Sequence, residues 1–323
     1  MQLPRLWAGR SALAWCLWPV SIVYGVLFWL RKQLYALGIF KSERVAASVI
    51  VVGNVVAGGA GKTPLTLALV QHLKAQNVHV GIVSRGYGRA SMQLQSVTPN
   101  STPADVGDEP LFIFQQCQVP VVVGSNRVAA AQHLLSLHPE VSVILCDDGL
   151  QHTALQRDME ICVMDERGIG NGWLLPAGPL REPWPRAVDL LLHTGPRSMA
   201  QGYAARRSLS HFALKSDGSS VPLAQLEGQE VQAVAAIARS QAFFAMLAQA
   251  GLTLKTCTER PDHDALENWQ PPHPGLPLLC TEKDAVKLWA HYPEALAVPL
   301  IFEPEEAFWK AFDALFQTRH RYH

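Results

Sequence analysis

The sequence of 323 residues lacks the features that mark several broad classes of protein. Its 27 basic and 27 acidic side chains balance, so no global charge favours binding to nucleic acid. Internal repeats and low-complexity tracts are missing as well. The six cysteines are scattered, without a Cys-x-x-Cys pair or another metal-ligand spacing. This pattern excludes a disulfide framework and predicts reduced core residues, as in cytoplasmic proteins.

Charged residues are also missing from one segment near the N-terminus. Residues 11–30 (SALAWCLWPVSIVYGVLFWL) contain no Asp, Glu, Lys or Arg and are long enough to cross the hydrocarbon core of a bilayer. Basic residues follow this segment at Arg31, Lys32, Lys41 and Arg44. Their position favours a cytoplasmic location for the C-terminal side of the segment.

The apolar segment is too long for a typical secretory signal, and no small-x-small cleavage pattern follows it. Pro19 and the partly polar Ser21 and Tyr24 leave open a helix that lies in the membrane interface instead of spanning the bilayer. The segment precedes every motif that carries chemistry. We therefore predict a simple membrane tether.

The strongest motif is the glycine-rich segment 53–64 (GNVVAGGAGKTP). It follows an apolar run at 47–52 and precedes residues 65–73, whose apolar positions recur at helical spacing. A strand, a glycine-rich turn and a helix that starts at Gly-Lys-Thr direct backbone N–H groups and a helix dipole at phosphate. Lys62 is predicted to contact the β- and γ-phosphates, and Thr63 to ligate Mg²⁺.

The match to the phosphate-loop pattern is imperfect, because Val56 occupies the position of its first glycine. An ordinary flexible strand-to-helix connection is the alternative. Paired glycines before Gly-Lys-Thr, between a strand and a helix, favour phosphate binding. The predicted nucleotide-binding residues are Val56, Ala57, Gly58, Gly59, Ala60, Gly61, Lys62 and Thr63.

Apolar runs alternate with helical patterns over the first 200 residues, which predicts an α/β fold. We expect a P-loop NTPase-like core with a parallel sheet, a second, smaller α/β domain and an N-terminal membrane helix. The predicted boundaries are 1–34 for the membrane anchor, 35–200 for the core domain and 201–323 for the smaller domain, which closes the active site.

Asp147 and Asp148 end an apolar run that is typical of a central strand. A carboxylate at the carboxyl end of a strand beside a phosphate loop commonly supports Mg²⁺. A simple turn is the alternative for this pair, and the location favours the magnesium site.

Three other groups have structural and functional interpretations. Asp108 precedes a helical pattern, and spacing alone favours a helix N-cap there. His263 lies in a polar turn between two Asp residues, and a lone His is more often structural than catalytic. Arg181 and Arg186 lie in the Gly-, Pro- and Trp-rich loop 171–186, either as ligands of an anion or as surface charges.

These motifs, in this order and spacing, resemble those of the tetraacyldisaccharide 4′-kinases, the lipid A 4′-kinases of Gram-negative bacteria. The resemblance runs over nearly the whole chain. Besides the glycine-rich loop it rests on SRGYG at 84–88, GDEP at 107–110, DDGLQH at 147–152, LPAGPLRE at 175–182, PDH at 261–263 and TEKDAVKL at 281–288. Asp264 departs from the family pattern, in which a second His is usual.

The resemblance implies residue roles that the sequence pattern leaves open. Asp108 and His263 are implied to take the proton from the acceptor hydroxyl, with Lys62 on the phosphates. The implied magnesium ligands are Thr63, Glu109, Asp147 and Asp148. The implied contacts to the lipid head group or its phosphate are Gln151, His152 and Arg181.

The implied reaction is ATP-dependent phosphorylation of the 4′-hydroxyl of a tetraacylated glucosamine disaccharide 1-phosphate. Its product is the bis-phosphorylated lipid A precursor, lipid IVA. The substrate stays in the inner membrane and ATP is cytosolic, so we expect the catalytic domains on the cytoplasmic side, with no nucleic-acid partner. The alternative is a membrane-tethered P-loop ATPase that acts as a conformational switch, which needs no base for an acceptor hydroxyl.

Overall fold

The chain divides into two compact units in the computed structural model, which describes residues 7–59, 61–195, 202–262 and 264–320. Unit 1 comprises Met1–Ala205 and Pro304–His323, and unit 2 comprises Arg206–Glu303. The sequence prediction assigned the C-terminal residues to the smaller domain. In the structure the chain returns to unit 1 after Glu303, because the last helix packs there.

Helices and strands alternate along the described residues of both units. The helices are α1 Ala12–Ala36, α2 Lys62–Ala75, α3 Pro103–Val106, α4 Asp108–Cys117, α5 Arg127–Leu137, α6 Ser240–Gln249, α7 Glu282–Leu288 and α8 Glu306–His320. The strands are β1 Ser48–Gly53, β2 Val80–Ser84, β3 Gln95–Ser96, β4 Val121–Val123, β5 Val143–Asp147, β6 Met159–Met164, β7 Leu190–His193, β8 Tyr203–Leu209, β9 Phe212–Leu214, β10 Ser220–Pro222, β11 Glu230–Ala235, β12 Thr253–Glu259, β13 Leu278–Thr281, β14 Leu296–Val298 and β15 Leu300–Pro304.

The main sheet has nine strands in the order β15-β8-β7-β6-β1-β5-β2-β4-β3. The pairs between β8 and β4 are parallel, and the short β3 runs antiparallel to β4. β1, β2 and β5 are buried at every position, as expected for central strands of a parallel sheet covered on both faces. The predicted α/β core is confirmed. The turns that follow β1, β2, β4 and β5 meet at one edge of the sheet.

Unit 2 has its own sheet of six strands, in the order β10-β9-β14-β13-β11-β12. Its core is formed by apolar residues of β11, β13, β14 and α6. Thr281 caps α7, because its side chain accepts a hydrogen bond from the Asp284 N–H. Four of the cysteines, at 117, 146, 162 and 280, are buried as predicted for core residues, whereas Cys16 and Cys257 are exposed.

α1 is the one helix of the described ranges that is long and apolar enough to cross a membrane by length and composition. One face of this helix is buried or half-buried against the rest of unit 1, at Ala14, Leu17, Ser21, Tyr24 and Phe28. The spacing of three or four residues keeps these side chains on one face. The other faces expose large apolar side chains, among them Trp15, Val23, Leu27 and Trp29.

α8 packs on unit 1 through three buried phenylalanines on one of its faces, at positions 308, 312 and 316. The ring of Trp309 stacks on His72 of α2 with centroids 4.2 Å apart. His72 also hydrogen-bonds to Asp313 at 2.7 Å. The C-terminal helix therefore supports the helix that follows the glycine-rich loop.

We expect Phe312→Ala to lower the free energy of unfolding by about 3–5 kcal/mol, because it leaves a cavity under α8. Phe312 is fully buried. Chemical denaturation in detergent, followed by tryptophan fluorescence, measures the loss. Phe212→Ala is the matched control, since Phe212 is half exposed and its removal leaves no enclosed cavity. Equal losses in the two variants would contradict the packing role of α8.

Candidate active site

The glycine-rich loop connects β1 to α2 as predicted. Gly61 is the N-cap residue of α2, and both Gly58 and Gly61 have φ of 95°, a left-handed conformation that favours glycine. The 14-residue α2 begins at Lys62, so the free N–H groups of its first turn lie at the end of the loop. This is the geometry that binds phosphate in strand–loop–helix sites. Ala60 lies outside the described residues.

Asn54 braces the loop from inside. Its side chain is fully buried, donates from Nδ2 to the Gly58 carbonyl at 3.1 Å and accepts at Oδ1 from the Lys62 ammonium at 3.3 Å. The Asn54 side-chain amide therefore binds both the backbone of the glycine-rich loop and the Lys62 ammonium. This role of Asn54 is not among the sequence-based predictions, although an Asn between a predicted strand and a run of glycines could have indicated it.

Asp148 lies between two cations. Its Oδ1 is 3.5 Å from the Lys62 ammonium, and both carboxylate oxygens accept from Arg181 Nη1, at 2.8 and 3.0 Å. Burial alone would raise the pKa of Asp148, but the charges of Lys62 and Arg181 lower it below its usual value. Three of the predicted site residues therefore form one chain of ion pairs.

Asp147, at the end of β5, is in a different electrostatic situation. Its carboxyl is buried, and Ser84 Oγ donates to its Oδ2 at 3.3 Å. Its Oδ1 has no hydrogen-bond partner among the residues that the structure describes. Burial raises the pKa of Asp147 to about 7, with further contributions from the negative charges of Glu109 and Asp148. The predicted acidic residues 109, 147 and 148 therefore lie within electrostatic reach of one another.

The loop that carries Arg181 is bound to the glycine-rich loop through the backbone. The Arg181 N–H donates to the Val55 carbonyl at 2.7 Å, and the Ala57 N–H donates to the Pro179 carbonyl at 2.8 Å. Val56 and Leu180 form the bridge between these bonds. The predicted nucleotide-binding residues Val56 and Ala57 are thus held by the loop that supplies Arg181.

Gln151 and His152 follow Asp148 in the chain and lie beside this site. Gln151 donates from Nε2 to the Asn54 carbonyl at 3.2 Å and to Glu182 at 2.7 Å, so it links the start of the glycine-rich loop to the residue that follows Arg181. Burial, together with the positive charges of Arg127, Arg31 and Arg85, lowers the pKa of His152 to about 4. His152 is therefore neutral at physiological pH.

Asp108 is the first residue of α4, and Gly107 with φ of 92° is the N-cap. The interpretation of Asp108 as a helix cap is therefore wrong, because the positive φ favours glycine at the cap position. His263 lies outside the described residues, so its pairing with Asp108 stays a prediction. Thr63 is the second residue of α2 and is half-buried.

Comparison with known proteins identifies the family of this chain. The model of the tetraacyldisaccharide-1-P 4′-kinase family matches residues 13–317. The crystal structure of the "apo" form of LpxK from Aquifex aeolicus in complex with ATP superposes with a TM-score of 0.81 at 30% identity, covering 94% of this chain and 99% of that one.

Curated relatives match nearly the whole chain. The tetraacyldisaccharide 4′-kinase of Acidovorax sp. (strain JS42) is 53% identical over 97% of this chain and 94% of its own length. That of Polaromonas naphthalenivorans (strain CJ2) is 51% identical over 97% of this chain and 94% of its own length. Together with the phosphate loop and its acidic partners, these matches show that the chain belongs to the tetraacyldisaccharide-1-P 4′-kinase family.

Proposed function

We propose that this chain transfers the γ-phosphoryl group of ATP to the 4′-hydroxyl of a tetraacylated glucosamine disaccharide 1-phosphate, giving lipid IVA. The observation that carries the proposal is the chain of ion pairs from Lys62 through Asp148 to Arg181 at the end of a phosphate loop. Phosphoryl transfer depends mainly on positioning and on neutralising charge, which this arrangement supplies.

The contacts of the Lys62 ammonium are weak enough for phosphate to replace them. Its contacts to Asn54 and Asp148, at 3.3 and 3.5 Å, are longer than an ordinary charge-assisted hydrogen bond. The β- and γ-phosphates of ATP, with more negative charge, would compete well for the ammonium. The amides of the first turn of α2 and Lys62 would then bind the same phosphates, and Arg181 would meet the charge that develops at the transferred group.

The acidic residues fit a magnesium ion. In the described ranges no cluster of three or more His, Cys, Asp or Glu side chains forms a metal site. Mg²⁺, however, is commonly held by one or two carboxylates together with nucleotide phosphates and water. Asp147 has a buried oxygen without a hydrogen-bond partner among the described residues. Asp148 is the next residue, and Thr63 follows Lys62, whose ammonium lies 3.5 Å from Asp148. These residues, with Glu109, would hold an ion that screens the phosphate charge.

We propose that Asp108 and His263 remove the proton of the acceptor hydroxyl, as the family resemblance implies. One finding supports a chemical role for Asp108: Gly107, and not Asp108, takes the cap position of α4. A hydroxyl is a poor nucleophile until its proton has an acceptor, and general-base assistance typically contributes about 10²–10⁴-fold.

We propose that the enzyme works at the cytoplasmic face of the inner membrane. The exposed apolar faces of α1 support contact with lipid, whereas its buried face packs on the protein. Because one face of α1 is covered by protein, only its other faces can contact lipid. This favours a helix that lies in the membrane interface over one that spans the bilayer. ATP is available only on the cytoplasmic side.

The alternative, a membrane-tethered ATPase switch, is not favoured by the family to which the chain belongs. The two functions differ in the acceptor of the phosphoryl group. With γ-labelled ATP, a kinase transfers the label to the lipid fraction, whereas a switch releases it as inorganic phosphate. Release into water alone, with the acylated disaccharide 1-phosphate present in mixed micelles, would contradict the proposed kinase.

Lys62→Ala should lower the rate of label transfer at least about 10²-fold, because it removes the cation that stabilises charge on the phosphates. Labelled lipid, counted after extraction, measures the rate. Lys310→Ala is the matched control, since Lys310 is exposed and pairs only with Glu306 along α8 among the described contacts. Wild-type kcat in folded Lys62→Ala would refute the assignment of the phosphate loop.

Asp108→Asn and His263→Ala should each slow transfer about 10²–10⁴-fold at saturating ATP. If both residues serve one proton transfer, the double variant should be scarcely slower than the slower single variant, because groups that act as a unit are not additive. Melting temperatures control for folding. Fully multiplicative losses would contradict the pair.

Asp147→Asn should stabilise the protein increasingly as the pH rises, when Mg²⁺ and nucleotide are absent. The pKa of Asp147 is raised from an unfolded value of about 3.9 to about 7, so its carboxyl adds stability at low pH and loses it as the pH rises through 7. Asn does not titrate. The difference in melting temperature between variant and wild type should therefore grow from about pH 5 to about pH 8.

Asp217→Asn is the control for this pH series. Hydrogen bonds from Ser219 lower the pKa of Asp217, so it stays ionised throughout the range. Its effect on the melting temperature should not change with pH. A flat difference for Asp147→Asn as well would show that Asp147 does not hold a proton near neutrality.

A further inference from the structure

We infer that α1 is more than a membrane tether: Ser21 and Tyr24 are positioning residues that hold the loop carrying Arg181. Residues 174–181 are called the Arg181 loop below. The inference goes beyond the proposed function and rests on it in one respect, since it takes Arg181 to act on phosphate. It extends the sequence-based expectation of a simple tether.

The first observation is a buried polar contact in the middle of an apolar helix. Ser21 is 4% exposed, although residues on either side of it in α1 face outward. Its Oγ donates to the Leu174 carbonyl at 2.9 Å and accepts from the Ala177 N–H at 3.0 Å. One hydroxyl therefore satisfies both a carbonyl and an amide of the Arg181 loop.

The second observation lies one turn further along the same face. The Tyr24 hydroxyl donates to the Arg181 carbonyl at 2.5 Å, and the ring is half-buried. This bond fixes the backbone of the residue whose guanidinium holds Asp148. Tyr24 therefore acts on the ion-pair chain through the backbone of Arg181.

A glycine in α1 allows this helix to approach the Arg181 loop closely. A Cβ atom added to Gly25 would lie 2.8 Å from Leu174 Cδ1, so glycine allows the helix to press against the loop. Before the helix, the Trp7 indole donates to the Pro176 carbonyl at 3.1 Å. Contacts therefore run along the loop from Leu174 to Arg181.

The Arg181 loop is held on its other side by the phosphate loop. The bonds from Arg181 N–H to Val55 and from Ala57 N–H to Pro179 join the two backbones. The loop thus lies between the membrane helix and the nucleotide site. A displacement of α1 would move Arg181 relative to Asp148 and Lys62.

Separation of α1 from the Arg181 loop would leave several polar groups without hydrogen-bond partners. A hydroxyl or a backbone amide buried without a partner costs about 1–3 kcal/mol, and more in lipid. If α1 left the protein for the hydrocarbon, Ser21 and Tyr24 would lose their partners, and so would the loop. A helix that served only as a tether would need neither group.

The experiment compares Tyr24→Phe and Ser21→Ala with wild type in mixed micelles, at saturating ATP and lipid acceptor. Each variant removes hydrogen bonds and no apolar surface. We expect kcat to fall about three- to tenfold, the range of one or two lost hydrogen bonds, with little change in KM for the lipid. Sedimentation with vesicles of phosphatidylethanolamine and phosphatidylglycerol should stay at the wild-type level.

Tyr35→Phe is the matched control on the same helix. The Tyr35 ring contacts Phe40 and Arg31, and its hydroxyl makes no hydrogen bond among the described residues. This variant should keep the wild-type kcat. Equal losses in Tyr35→Phe and Tyr24→Phe would overturn the inference, because they would report a general effect on the helix.

A double-variant cycle tests the route through Arg181. If Tyr24 acts by positioning Arg181, Tyr24→Phe should change kcat little in an Arg181→Gln background. A loss of the same size in both backgrounds would overturn that route. Unchanged kcat in Tyr24→Phe and Ser21→Ala would overturn the positioning role entirely. Transfer of label to lipid by the wild-type enzyme, measured in the same assay, tests the proposed function separately.

Discussion

The placement of negative charge at the end of β5 sets the electrostatics of the whole site. Asp147 is buried and the adjacent Asp148 is half-buried. Two carboxylates so close together cannot both ionise without cations. Lys62 and Arg181 both pair with Asp148, so Asp148 stays ionised. Burial raises the pKa of Asp147, and the negative charges of Glu109 and Asp148 raise it further. Asp147 would release its proton where a divalent cation supplied the missing charge.

The ion pairs of Asp148 also explain why both the glycine-rich loop and α1 hydrogen-bond to the Arg181 loop. Arg181 must reach Asp148 from a segment without regular secondary structure, which has little rigidity of its own. The structure holds this segment by backbone bonds to Val55 and Ala57 on one side and by hydroxyl groups of α1 on the other. Pre-organisation of this kind lets a guanidinium stabilise charge without moving at the moment of reaction.

Local signals in the sequence were enough to predict the phosphate loop and the acidic strand end, because each is a short motif at a defined place in a parallel sheet. They failed for Asp108, since the positive φ of Gly107 that makes glycine the cap is set by the chain around it. They also failed for the return of α8 to unit 1 and for the partners of Ser21 and Tyr24. Those depend on contacts between residues more than 150 positions apart, which no local pattern encodes.

A kinase with a water-soluble donor and a lipid acceptor must align two substrates from different phases. A flexible tether would bring the enzyme to the membrane but leave its orientation free. α1 instead presents apolar side chains such as Trp15 and Leu27 outward, and it fixes its opposite face to the loop that carries Arg181. Where the exposed face of α1 enters lipid as proposed, one helix would contact both the lipid and the Arg181 loop. Its depth and direction in the membrane would then also determine where the proposed phosphate site stands relative to the bilayer surface.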